Sequence, residues 1–141
     1  MKKISLNAAS CVMILMLFGL FTSFILIEQQ EKDRGIGPVK SLELTPVDQK
    51  MVAEGKGLFT NTCLVCHDLD QKKIGPTLRN ITKDRTPEFI MNILVNTAQM
   101  QKEDLIVKDL LKKYNNIPMP TPAINQKQAR SILEYLRSVA K

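Results

Sequence analysis

Hydrophobic positions fall into two regimes along the chain. From Ala8 to Ile27 twenty residues run without a charge, rich in Leu, Ile, Phe, Met and Val, long enough to cross the ~30 Å hydrocarbon core of a bilayer as one helix. Beyond Pro46 the apolar residues recur instead at helical spacing. Thr45-Pro46-Val47-Asp48 predicts a helix start, with Thr at the N-cap and Pro in the first turn, and a helix to about Thr60. Thr86-Pro87-Glu88 repeats the signal ahead of Phe89, Ile90, Ile93 and Leu94, which share one helical face. A further helix is expected over Glu103 to Lys113. The last begins near Asn125, with Gln128 completing a capping box and Ile132, Leu133, Tyr135, Leu136 and Val139 as its buried stripe. No strand run and no internal repeat is evident. The expected fold is all-α, a small domain of four to five helices.

These regimes divide the chain into an N-terminal membrane anchor over 1–27, a flexible tether over 28–45 and a helical domain over 46–141. Lys2 and Lys3 precede the apolar run, whereas Glu28, Glu31, Lys32, Asp33 and Arg34 follow it. The positive-inside rule then keeps the N-terminus in the cytoplasm and sends the domain outward. The apolar run exceeds the 7 to 15 residues of a cleaved signal core, and Phe21-Thr22-Ser23-Phe24 offers no small-x-small cleavage site, so an uncleaved anchor is expected. Cys11 precedes most of the apolar run and reads as a small apolar residue rather than a lipidated one. In the tether, Gly35-Ile36-Gly37-Pro38 breaks any helix; a flexible segment of that length spans roughly 20 to 25 Å.

Composition matters mainly through what it withholds. Five Phe, two Tyr and no Trp make a thin core, and small domains bury proportionately little surface on folding. The net charge of +6 is largely lysine; Lys72, Lys73, Arg79 and Lys83 are candidates for a basic face that steers towards an acidic partner. Without aromatic-basic interleaving, nucleic acid is not an expected partner.

The chemistry sits at Cys63-Leu64-Val65-Cys66-His67. Two thiols three positions apart can each add to a haem vinyl group, and the imidazole that follows reaches the iron as its proximal ligand. A structural zinc site needs four Cys or His ligands, and beyond the apolar run this chain has three. A thioredoxin-like dithiol would need a βαβ setting, and the flanks here are helical. A haem would also supply the apolar volume that the core lacks.

In its order of motifs the domain resembles the class I, mitochondrial-like monohaem cytochromes c, specifically membrane-anchored bacterial ones. The likeness covers essentially all of 46–141: a first helix with Gly55 and Phe59, the Cys63–His67 motif, Gly75-Pro76-Thr77-Leu78, a loop at Met119-Pro120, and a last helix with Tyr135-Leu136. The resemblance implies one covalent haem c on Cys63 and Cys66, with His67 and Met119 as axial ligands and the Pro76 carbonyl holding the His67 Nδ1–H. A thioether opposite imidazole raises the potential, and Pro118 and Pro120 stiffen the Met119 loop. Met100 is the alternative ligand; Met91 falls on an apolar helical face and reads as core. Gly55, Phe59 and Tyr135 correspond to the family's crossing of first and last helices. The family often uses a tryptophan on a haem propionate, which this chain lacks; Arg79 or Tyr114 could substitute. The function implied is single-electron transfer without a small-molecule substrate, on the outer side of a bacterial cytoplasmic membrane where such haems are attached. Its redox partners would be a quinol-oxidising complex and a terminal oxidase. Two other readings stay open: a haem-based catalyst or gas sensor with a labile Met119, and a mainly structural haem subunit of a larger complex.

Overall fold

The computed structural model describes the backbone of residues 8–141 and the side chains of that span apart from 8–11 and 24–32. It divides into two units, residues 1–32 and 33–141. The first holds most of α1 (Ala8–Asp33). The described side chains of α1 before its last residue are 12–23, and the large apolar ones among them are exposed. Among the described residues no helix is long and apolar enough to cross a membrane; the anchor expected over 1–27 lies partly outside them.

The second unit carries α2 (Gln49–Leu58), a π-helical turn (Phe59–Cys63), α3 (Ile81–Asp84), α4 (Pro87–Val95), α5 (Thr97–Glu103), α6 (Leu105–Lys113) and α7 (Gln126–Val139). That is more helices than the four to five expected. The difference is the four-residue α3 and the short polar α5, which Asn96 and Asp104 set off from α4 and α6. Asn96, at φ −138° and ψ 37°, ends α4 and starts α5. Asp104 then ends α5 and caps α6 by accepting from the Val107 N–H. At α2 the cap is Asp48 rather than Thr45, because its carboxylate reaches the Lys50 and Met51 N–H groups. Thr86 and Asn125 cap α4 and α7 as the sequence predicts, the latter with the full Asn125/Gln128 box. Strand pairing among the described residues amounts to an isolated bridge between Asp68 and Thr77.

The architecture is organised by the crossing of α2 and α7. Gly55 is buried there, and a Cβ on it would lie 1.9 Å from the Ser131 carbonyl oxygen. Only hydrogen fits in that gap, so the two helices approach to backbone contact. One turn further along, the Phe59 and Tyr135 rings meet at 5.2 Å and 54°. The core then spreads through Met91, Leu94, Ile132, Leu133 and Leu136, all at most 6% exposed.

The tether expected over 28–45 is not a loose chain. Helix α1 runs through its first residues to Asp33, and from there the backbone lies along the domain as a strap. Buried Asn92 accepts from the Val39 N–H and donates to the Val39 and Arg34 carbonyls. Glu88 accepts from the Leu42 N–H, Thr86 donates to the Asp33 carbonyl, and Arg137 donates to the Thr45 carbonyl. Val39 is buried in the main core. The Gly35–Pro38 breaker does prevent helix, but backbone groups along the strap pair with Asn96 and with side chains of α4, α5 and α7 instead of water.

Candidate haem site

The Cys63–His67 motif is delivered by the π-helical turn. Phe59 starts this turn with its ring in the core, and the Leu64 N–H reaches back to the Phe59 carbonyl at 3.2 Å. The extra residue per turn, a feature often met at functional sites, separates the core register of α2 from that of the motif. The Cys63 carbonyl accepts from both the Cys66 and His67 N–H groups. Burial pushes the Cys63 thiol up to about 11, opposite to the depressed value of a reactive redox dithiol. Neither Cys63 nor Cys66 is in a disulfide.

His67 is fixed by the loop that follows. The Gly75 N–H donates to the Cys66 carbonyl at 2.8 Å, and the Leu78 and Arg79 N–H groups donate to the Asp68 and Leu69 carbonyls, closing residues 66–79 on themselves. This closure sets His67 Nδ1 2.9 Å from the Pro76 carbonyl oxygen. A carbonyl can only accept, so Nδ1 carries a hydrogen, and in the neutral imidazole Nε2 is then the nitrogen with the lone pair. Gly75 lies against the imidazole, where a Cβ would fall 2.3 Å from Cε1.

On leaving α6 the chain turns through Asn115 and Asn116, both in the left-handed region at φ 59° and 55°, a conformation Asn tolerates better than most residues. Ile117-Pro118-Met119-Pro120 follows. Cys63, Cys66, His67, Pro76 and Met119 all line one cleft of about 240 Å³. Its other walls are mostly aliphatic and aromatic, and among the described residues no Asp, Glu, Lys or Arg lines it. The alternative methionines lie elsewhere. Met100 is fully buried with its sulfur accepting the Ile36 N–H at 2.9 Å, and Met91 is in the main core.

The basic residues sort into two groups. Arg79 pairs with Asp70 and donates to the Val139 carbonyl, and Lys83 donates to the Lys141 carbonyl, so both tie the loop region to the end of the chain. The Arg79 guanidinium holds the Asp70 carboxyl below the usual aspartate range. Lys72, Lys73 and Lys113 instead surround exposed Val65, Ile74 and Ile117, and Ile74 and Ile117 also line the cleft. Tyr114 lines the cleft too, with the Lys72 ammonium 5.1 Å from its ring centre.

Residues 52–140 match the family model described as Cytochrome c. The chain belongs to the cytochrome c family. Among solved structures it is similar to cytochrome c from Rhodothermus marinus, at 42% identity and TM-score 0.71, over 74% of this chain and 90% of that one. An engineered form of the Rhodothermus protein, Rma TDE, matches at 42% identity and TM-score 0.70, and the same engineered form bound to a carbene intermediate matches at 41% and 0.68, both with equal coverage. Curated proteins give no significant match. Membership makes this an electron-transfer domain with a covalently bound haem c, and the cleft suits that group: it is apolar, uncharged and bordered by both thiols and the imidazole.

One residue of this cytochrome c site was not foreseen from sequence. Gln101, on the short helix α5, lines the cleft and bonds the Met119 backbone twice. A polar residue in a polar stretch carries no signal of such a partner eighteen positions away.

Proposed function

We propose that this cytochrome c holds its haem by thioethers from Cys63 and Cys66, with His67 Nε2 and the Met119 sulfur as axial ligands. We further propose that it carries single electrons at the outer face of a bacterial cytoplasmic membrane, anchored through residues 8–27. The observation that carries the reading is the shared cleft: the imidazole, both thiols and the Met119 loop border one uncharged apolar space. When bound, the haem iron supplies a one-electron ferric/ferrous couple. The protein's part is to orient and to exclude. Pro76 holds the imidazole by its Nδ1–H, so that Nε2 presents a lone pair in a fixed direction. Pro118 and Pro120 limit the Met119 loop, and the aliphatic walls keep water from competing with a weak thioether ligand.

The anchor rests on the charge-free run and the lysines before it. A quinol-oxidising complex as donor and a terminal oxidase as acceptor suit that place, and the lysine-rimmed patch of Val65, Ile74 and Ile117 suits acidic docking faces. The test uses membrane vesicles containing the full chain and such complexes. Added quinol should bring up the ferrous haem bands, and oxygen should then discharge them. A haem that stays ferric under quinol while dithionite reduces it would overturn the carrier reading.

A further inference from the structure

The segment Pro118-Met119-Pro120 has an unusual hydrogen-bond inventory. Neither proline has an N–H, so the Met119 N–H is the single backbone donor in the tripeptide, and the loop has little with which to attach itself to the fold. That donor is taken by Gln101: Met119 N–H donates to Gln101 Oε1 at 2.8 Å. In return Gln101 Nε2–H donates to the Met119 carbonyl at 2.9 Å. The side-chain amide thus pairs with the methionine's own N–H and C=O as a strand neighbour would. The reciprocity also sets the orientation of the amide, since the N–H requires the oxygen and the carbonyl requires the nitrogen.

The clamp has a firm base. Thr97 and Met100 are fully buried on the same short helix, and Thr97 Oγ1 donates to the Ile93 carbonyl. The strap pins that helix further: the Ile36 N–H donates to the Met100 sulfur and Asn96 Nδ2 donates to the Ile36 carbonyl. Gly35, at φ 70°, lies where a Cβ would meet Met100 Cε at 2.6 Å. Gln101 is therefore held on an anchored helix, while the segment it grips has no backbone donor besides the one it takes.

We propose that Gln101 is a positioning residue for the sixth ligand: its amide clamps the Met119 backbone and so keeps the thioether at the iron. This rests on Met119 being that ligand. The prolines narrow the loop's own conformations, and Gln101 selects among them. Its loss leaves the thioether in place on average but raises the population of the detached loop, since two hydrogen bonds close to a weak bond are removed together.

The test compares full-length holoprotein carrying Gln101→Leu or Gln101→Glu with wild type and with Met119→Ala. Three readouts are used: the rate of CO binding to the ferrous form, the ferric charge-transfer band that reports sulfur on iron, and the unfolding midpoint. Gln101→Leu preserves bulk and removes both bonds, and should speed CO binding on the order of ten- to a hundredfold while the charge-transfer band weakens. Gln101→Glu keeps an acceptor for the Met119 N–H but sets a carboxylate against its carbonyl, and should accelerate CO at least as far as half of that on a logarithmic scale. Wild-type CO kinetics and an intact band in both variants would overturn the clamp. If wild type itself binds CO as fast as Met119→Ala, the ligand assignment fails, and the clamp with it. A variant that lowers the unfolding midpoint without moving CO rate or band would assign Gln101 to folding alone and likewise overturn the proposal.

Discussion

Two glycines in one helix should respond oppositely to the same substitution. At Gly55 an added methyl would sit 1.9 Å from the Ser131 carbonyl oxygen, 2.5 Å from its carbon and 3.0 Å from the Ile132 nitrogen. Ordinary contact begins at 3.4 Å, so α2 and α7 must separate by about 1.5 Å at their closest point. The obstacle is backbone, and no rotamer change relieves it. Overpacking of this kind costs about 1–3 kcal/mol, and a backbone obstacle belongs at the upper end; the intrinsic helix preference of Ala over Gly returns about 1 kcal/mol. A net loss of about 2 kcal/mol lowers the melting temperature of a domain this size by roughly 10 °C. Gly57, two residues on, has nothing within 4 Å of its would-be Cβ. Gly57→Ala should therefore gain about 1 kcal/mol and melt roughly 4–8 °C higher. Thermal unfolding of the two holoproteins, followed by far-ultraviolet circular dichroism, gives the comparison. Equal stabilisation by both substitutions would refute the close crossing of α2 and α7.

Three further outcomes follow from the site and the strap. Gly75→Ala would place a Cβ 2.3 Å from His67 Cε1; the imidazole must move by about 1.1 Å to regain contact distance, disturbing the Pro76 bond, and a high-spin fraction should appear in the ferric absorption spectrum, whereas an unchanged spectrum would contradict the packing described. Asp70, held below the usual aspartate range by Arg79, stabilises the fold fully above its unfolded value near ~3.9 and loses that contribution as pH falls through the folded value; the gap in unfolding midpoint between wild type and Asp70→Asn should accordingly be complete near neutrality and close in acid, and a gap that widens in acid would contradict the sign. Glu134, 1% exposed between Arg130 and Arg137, neutralised as Glu134→Gln leaves both guanidinium groups short of a partner, at a cost of about 3 kcal/mol. Because those arginines also hold the Glu43 and Thr45 carbonyls, trypsin should then cut faster after Lys40, and unaltered cleavage would detach the triad from the strap.

Much of the site was legible because its chemistry is local. Cys63, Cys66 and His67 are contiguous, and Pro76 lies close enough in sequence for one loop to close on the imidazole. Strong local caps also made α4 and α7 readable from Thr86 and Asn125. What stayed hidden depends on distant partners. Residues 34–45 look like a linker by composition, yet Asn92 and Glu88 supply their hydrogen bonds from α4, more than forty positions away. Helix α5 lacks an apolar stripe of its own and is stabilised by buried Thr97 and Met100 against the strap and α4. Met100 shows the ambiguity of sequence most clearly: in polar surroundings it resembles a free ligand, and only the fold reveals that its sulfur already serves the Ile36 N–H. Arg79 and Lys83, grouped by sequence with Lys72 and Lys73, are drawn off by the chain end.

The most direct measurement of the central claim, a haem closed on both sides by His67 and Met119, is the absorption spectrum of the ferrous holoprotein with and without CO, recorded beside Met119→Ala. Low-spin bands that CO changes only slowly in wild type, with rapid CO binding in the variant, are the predicted result. Ready CO binding by the wild type, or a variant that binds CO no faster, would contradict it.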